Sequence, residues 1–166
     1  MSKTLLKNGR IISPSDKLDM VGHILFENSV ISSVEKDLPP EDKIDQVIDC
    51  SGCLIMPGAI DMRVQSADPG AEHLESLSEL LAAAGNAGIS QIVSLPATTP
   101  VIDSAVMIDS LRLRASSTHG ALLHLYGAMT QSLNNQQMAE LGMMAKAGAI
   151  GFANGVVSVQ DSLLMR

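Results

Sequence analysis

Cys50 and Cys53 form the only C-x-x-C pair in this 166-residue chain. The spacing is used by thiol redox pairs, and it also supplies half of the ligands of a structural zinc site. A zinc site would need two more ligands nearby, and a redox motif normally opens a helix. The sequence therefore favours two ordinary residues of an apolar strand, with the redox or zinc function as the alternative.

Four histidines are the other candidates for acid–base or metal chemistry: His23, His73, His119 and His124. His73 is predicted at the start of a helix, and no second ligand lies at metal-binding spacing from it, so we interpret it as a solvated residue. His124 is predicted in a strand beside Tyr126. No nucleophile or partner can be assigned to His124, which favours a structural histidine over a general base.

The first fifty residues have the pattern of β-structure. Asn8-Gly9 lies between two short apolar runs, which predicts a β-hairpin turn at that point. Further strands are predicted at residues 22–27, 30–34 and 46–50. This part of the chain has no helical periodicity of useful length.

After Gly52 the pattern changes to strands that alternate with helices. One strand is predicted to end near Gln65, and three others at residues 91–95, 122–128 and 150–152. Helices are predicted at residues 72–87, 104–117, 135–147 and from about 160 to 166. The alternation predicts parallel βα units joined by right-handed crossovers, which fit either a doubly wound sheet or part of a (β/α)8 barrel.

Composition and charge exclude several classes of function. The net charge is −7 and the chain has one Tyr, two Phe and no Trp, which argues against binding of nucleic acid by charge or by stacking. No signal-peptide core is present, and no apolar run approaches the roughly 20 residues of a membrane span. We therefore expect a cytoplasmic protein that binds neither nucleic acid nor membrane.

Four stretches resemble, in order, the dihydroorotase branch of the amidohydrolase superfamily. They read KNGRIISP at residues 7–14, IDCSGCLIMPGAIDM at 48–62, LPATTPVID at 95–103 and KAGAIGF at 146–152. The resemblance implies an α/β protein with a small, partial β-sandwich at residues 1–53. The first four βα units of a (β/α)8 TIM-type barrel would follow at residues 54–166. It also implies the chemistry of that family, which is zinc-assisted hydrolysis of a cyclic amide in pyrimidine synthesis.

The chain departs from this family where the resemblance places the catalytic site. The two metal-binding histidines of a His-x-His motif correspond to Arg63 and Gln65. A substrate-binding Arg corresponds to Ala67, a substrate-binding Asn to Ala97, and a metal-binding Asp to Asn154. Arginine offers only donors, and a carboxamide oxygen is seldom a zinc ligand. The resemblance therefore implies five vestigial positions, no catalytic, cofactor-binding or metal-binding residue, and no bound zinc.

Arg63 carries one further hypothesis. Its guanidinium could supply positive charge in place of the ion and pair with Asp61 or another carboxylate. The alternative is that the side chain simply reaches solvent.

The function implied by the resemblance is that of a catalytically inactive dihydroorotase-like protein that serves as a structural partner of aspartate transcarbamoylase. The alternatives are an active zinc-dependent dihydroorotase or related cyclic amidohydrolase, and a non-functional fragment of one. Four barrel strands would leave an open edge and an uncovered apolar face. We therefore expect the N-terminal part of a longer protein, which associates with itself or with the missing C-terminal half.

Overall fold

The structure is a computed structural model that describes residues 2–39 and 44–166. It divides the chain into two compact units, Met1–Pro57 and Gly58–Arg166. The first unit is a small β-sheet and the second is built from alternating strands and helices, which confirms the predicted fold class. None of the described helices is long and apolar enough to cross a membrane.

The first unit is a mixed sheet. Its described strands are β1 (Lys3–Ser13), β2 (Leu18–Glu27), β3 (Val30–Glu35), β4 (Gln46–Asp49) and β5 (Leu54–Ile55). They lie in the order β3-β2-β1-β4, and β5 also pairs with β1. β2 runs antiparallel to β1, whereas β4 and β5 run parallel to it. Because β5 belongs to this sheet, the first unit extends to Pro57, beyond the predicted bound at residue 53.

The predicted hairpin turn at Asn8-Gly9 is wrong. β1 continues through both residues, and its register with β2 shifts between Leu6 and Gly9. Asn8 has a φ of 65°, which asparagine tolerates better than most residues, so the pair forms a β-bulge within one long strand. A side chain at Gly9 would collide with Ile55, which explains the glycine by close packing instead of by a turn.

The second unit contains a parallel sheet covered by helices. The described strands are β6 (Ala59–Val64), β7 (Ile89–Ser94), β8 (Leu122–Gly127) and β9 (Gly151–Phe152), in that order across the sheet. The connecting helices are α1 (Leu77–Asn86), α2 (Ala105–Ser116) and α3 (Leu141–Ala147), and the short α4 (Ser162–Met165) follows β9. A 3-10 turn at Gln131–Leu133 precedes α3. This is the βα alternation of a barrel half.

Two helices begin later than predicted. α1 begins after Ser76, whose hydroxyl accepts the N–H of Glu79 while the Glu79 carboxylate accepts the N–H of Ser76. This capping box ends the loop that precedes the helix. α3 begins at Leu141 instead of residue 135, because the preceding segment forms a turn that a bridge between Thr130 and Met138 closes.

The core of the second unit lies between the sheet and its helices. Five of the most deeply buried side chains come from α1, β7, α2, β8 and α3, respectively Leu81, Ile92, Ile108, Leu125 and Met144. Burial of each such side chain contributes about 1.5–3 kcal/mol. This packing fixes the ends of the parallel strands, where the candidate site lies.

Candidate functional site

The five positions that the resemblance implies to be vestigial lie at or after the carboxyl ends of barrel strands. Arg63 is in β6, Gln65 and Ala67 follow β6, Ala97 follows β7, and Asn154 follows β9. This end of the sheet is where barrel enzymes place their active sites. The Gln65 amide donates to the carbonyl of Ala97 at 2.6 Å, and a side chain at Gly155 would meet the Ala97 Cβ at 3.5 Å. The fold therefore brings three of these strand ends together.

Gln65 bridges two strand ends. Its Nε2 donates to the carbonyl oxygens of Ala97, at 2.6 Å, and Ser66, at 3.4 Å. Both bonds are made to backbone, so the amide nitrogen is committed to joining the loop after β6 to the loop after β7. Gln65 thus makes a structural contact where the resemblance places an imidazole ligand.

Arg63 does not form the ion pair considered for it. Asp61 accepts the backbone N–H of Arg63 at 3.0 Å, so its carboxylate turns back onto its own strand. Within residues 2–39 and 44–166 the Arg63 guanidinium makes no hydrogen bond or ion pair, and the residue is exposed. Among the described residues, the Arg63 side chain therefore reaches solvent, which was the second of the two interpretations given for it.

Asn154 is buried at the centre of a closed hydrogen-bond network. Its Oδ1 accepts the backbone N–H groups of Met129, at 3.0 Å, and Thr130, at 3.2 Å. Its Nδ2 donates to Thr130 Oγ1 at 2.9 Å and to Asn135 Oδ1 at 2.7 Å. These four bonds use both donors and two acceptor sites of the amide. Asn154 therefore ties the end of β9 to the segment after β8.

Sequence reasoning missed an ion pair beside this site. Asp68 is fully buried and accepts from Arg114 at both oxygens, with Nη1 to Oδ1 at 2.8 Å, and from the N–H of Leu77 at 3.0 Å. Burial by itself would raise the pKa of Asp68, but the hydrogen bonds from Arg114 and Leu77 and the charge of Arg114 outweigh it and hold that pKa below its usual value. The pair joins the loop after β6 to the beginning of α1 and to the last turn of α2.

The histidines lie outside this arrangement or have other partners. His124 is bonded through Nε2 to Gln91 Oε1 at 2.8 Å, and His23 accepts the N–H of Asn8 at 3.3 Å through Nδ1. His73 and His119 are exposed, and His73 precedes α1 instead of starting it. Gln91 is a partner that sequence reasoning did not identify, since it lies on the neighbouring strand.

The C-x-x-C pair frames a turn between β4 and β5. The N–H of Cys53 donates to the carbonyl of Cys50 at 2.9 Å, and both cysteines are free. The prediction that they lie within an apolar strand is therefore wrong, because a turn that contains Gly52, with a φ of 78°, separates the two cysteines. Burial raises the pKa of the Cys50 thiol, as do its neighbours Cys53 and Asp49, which disfavours a reactive thiolate.

The family is shown by comparison with known proteins. Residues 52–166 match the family model described as "Dihydro-orotase-like". This chain belongs to the dihydroorotase-like family. It is 34% identical over 164 residues to the dihydroorotase of Wolbachia sp. subsp. Drosophila simulans (strain wRi). This alignment covers 99% of this chain and 37% of that protein. It is 32% identical over 164 residues to the dihydroorotase of Syntrophotalea carbinolica, covering 99% and 38%.

Solved structures agree with the fold of this family. L-Hydantoinase (dihydropyrimidinase) from Arthrobacter aurescens aligns with a TM-score of 0.73 and 27% identity, over 92% of this chain and 32% of that one. A dihydroorotase crystal structure aligns with a TM-score of 0.60 and 11% identity, over 92% and 42%, which supports the fold alone. The chain spans under two fifths of the length of the curated relatives it matches.

The zinc of this family does not fit the residues present. Where the structure describes the chain, no three His, Cys, Asp or Glu side chains are grouped so that they could hold a metal ion. At the three positions where the resemblance places ligands, Arg63 offers a cation, Gln65 donates to backbone, and Asn154 has its amide fully engaged. These residues can hold loops together, but they do not form a set of metal ligands.

Proposed function

We propose that this chain is a catalytically inactive member of the dihydroorotase-like family that acts as a structural protein of pyrimidine biosynthesis in the cytoplasm. The observation that carries the proposal is the state of Asn154, a buried amide with four hydrogen bonds at the position of an acidic metal ligand. Arg63 and Gln65 support it, since neither presents a free nitrogen lone pair to a metal.

The activation of water that a zinc ion would supply is too large a free-energy term for the residues of this site to replace. Zinc lowers the pKa of its bound water from about 15.7 to about 7. At about 1.36 kcal/mol per pKa unit, this corresponds to about 12 kcal/mol in the availability of hydroxide. A general base typically accelerates a reaction by only about 10²- to 10⁴-fold, and the His124 ring is already bonded to Gln91.

The experiment that tests inactivity combines metal analysis with an assay. The chain is purified in the presence of zinc, its metal content is measured by mass spectrometry, and the opening and closing of the dihydroorotate ring is followed. We expect no stoichiometric zinc and a rate equal to that of buffer, with an active dihydroorotase treated in parallel as the control. One zinc per chain together with ring opening, both lost in Gln65→Ala, would overturn the proposal.

The proposed partner is aspartate transcarbamoylase, and the support for it is the resemblance to the dihydroorotase family alone. The partnership predicts that the two proteins copurify from cell extract and that transcarbamoylase activity falls when the gene for this chain is removed. Unchanged transcarbamoylase activity in extracts without the chain would remove this partner while leaving the proposal of inactivity intact.

A further inference from the structure

Cys50 and Cys53 lie at the two ends of a tight turn in the first unit. The N–H of Cys53 donates to the carbonyl of Cys50 at 2.9 Å, which is the hydrogen bond that closes a four-residue β-turn. Gly52, the third residue of the turn, has a φ of 78°, as a type II turn requires at that position. The Cα atoms at the ends of a β-turn lie less than about 7 Å apart. Disulfides join Cα atoms about 4.4–6.8 Å apart, so this turn sets a spacing at which the two cysteines can be bonded.

The backbone on both sides of this turn is held against β1. The N–H of Cys50 donates to the carbonyl of Lys7 at 2.7 Å, and the carbonyl of Cys53 accepts the N–H of Arg10 at 3.0 Å. These bonds continue the pairing of β1 with β4 and with β5. The short separation of the cysteines is therefore fixed by hydrogen bonds within the first unit, whichever residues cover its surface.

The two thiols differ in their accessibility. Cys53 is exposed and lines a concave surface with Arg10 and Leu54, whereas Cys50 is half-buried. Burial raises the pKa of the Cys50 thiol, and the nearby Cys53 raises it further. Because the thiolate is the attacking form, Cys53 is the thiol that meets an external reagent, and Cys50 is the thiol that completes the reaction.

We propose that Cys50 and Cys53 form a dithiol site that exchanges with a low-molecular-weight disulfide and becomes one intrachain disulfide. The Cys53 thiolate attacks one sulfur of the substrate, whose S–S bond breaks and releases a first thiolate. The Cys50 thiolate then attacks the Cys53 sulfur of this mixed disulfide, and the second substrate thiolate leaves. The chain gives up two electrons and two protons, and the substrate is reduced to two thiols. This chemistry does not depend on whether the chain is an active hydrolase.

The test is to incubate the full folded chain with oxidised glutathione and to count the thiols that remain free. The chain has two cysteines, so the loss of both thiols from a single chain identifies this bond. After alkylation, mass spectrometry should find neither an alkyl group nor glutathione on the wild type, and reduction should restore both thiols. Cys50→Ser should stop with one glutathione on Cys53. Cys53→Ser, the matched variant, should take up glutathione about tenfold more slowly, since its remaining thiol is half-buried.

The contribution of the turn is measured by repeating the equilibrium in urea, with circular dichroism to confirm the folded and unfolded states. In glutathione buffers the folded chain should favour the intrachain bond about tenfold more than the unfolded chain, because the turn raises the effective concentration of one thiol at the other. The proposal is overturned if the folded wild type ends with glutathione on both cysteines or with a bond between two chains. An unfolded chain that forms the intrachain bond as readily as the folded one overturns it as well. The wild-type results decide the outcome even where a variant misfolds.

Discussion

Carboxamides occupy two of the positions at which the family resemblance places metal ligands, and the surroundings of each differ. Gln65 is exposed and donates to the carbonyl of Ala97, so a hydrogen bond joins the loop after β6 to the loop after β7. Asn154 is buried and needs its nitrogen as much as its oxygen, because Asn135 Oδ1 accepts from it. An aspartate at position 154 would lose that donor and face another oxygen. The network around position 154 is thus matched to a neutral amide.

Replacing this amide should have a large effect on stability. Asn154→Ala leaves the buried N–H of Thr130 and the half-buried N–H of Met129 without their acceptor, and unsatisfied buried groups cost about 1–3 kcal/mol each. We expect the free energy of unfolding to fall by about 3 kcal/mol, measured by urea denaturation. Asn86→Ala, at an exposed position of α1, is the matched control and should change it by less than about 0.5 kcal/mol. Equal effects of the two variants would contradict the network.

The sequence indicated which residues share the site, but not the contacts they make. The order of the family motifs placed Arg63, Gln65, Ala97 and Asn154 at strand ends, and three of these strand ends do meet. The acceptor of Gln65 is a backbone carbonyl, which has no sequence pattern. Asp68 and Arg114 are separated by 46 residues, so only the packing of α2 beside the loop after β6 reveals their pairing.

At the scale of elements, the start of α1 was predicted too early because apolar periodicity continues into the loop before the helix. Leu74 extends the helical pattern of α1 towards residue 72, yet it is 75% exposed and lies in the preceding loop. The capping residues Ser76 and Glu79 mark the true start and were visible in the sequence. The late start of α3 was not visible in the sequence, because it depends on the tertiary bridge from Thr130 to Met138.

The Asp68–Arg114 pair should make the packing of the loop after β6 against α1 and α2 dependent on pH. Because the folded state lowers the pKa of Asp68, its contribution is fully present above the ordinary carboxyl pKa of about 4 and is lost as the pH falls through the lower folded value. Asp68→Asn should lower the free energy of unfolding by about 2 kcal/mol at neutral pH. This is less than for a fully buried pair, because Arg114 is half exposed. Urea denaturation at decreasing pH should show the difference from wild type narrowing below pH 4.

The control for this effect is the exposed pair of Arg10 and Asp19, joined at 2.7 Å in the β-sheet unit. Asp19→Asn should leave stability unchanged within error at neutral pH, since solvent screens an exposed ion pair. If Asp68→Asn also left the free energy of unfolding unchanged, the buried pair would not stabilise these elements. The same would follow if the destabilisation by Asp68→Asn grew as the pH fell.

At the scale of the whole molecule, the motif order and the alternation of strands and helices were sufficient to predict a β-unit followed by half of a parallel barrel. Four βα units leave two edges, and that count gave the expectation of association with another chain. Which side chains of β6, β7 and β8 share one face of the sheet could not be predicted from the sequence, because it depends on register. The structure aligns Ile60, Gln91 and Leu122 across the three strands.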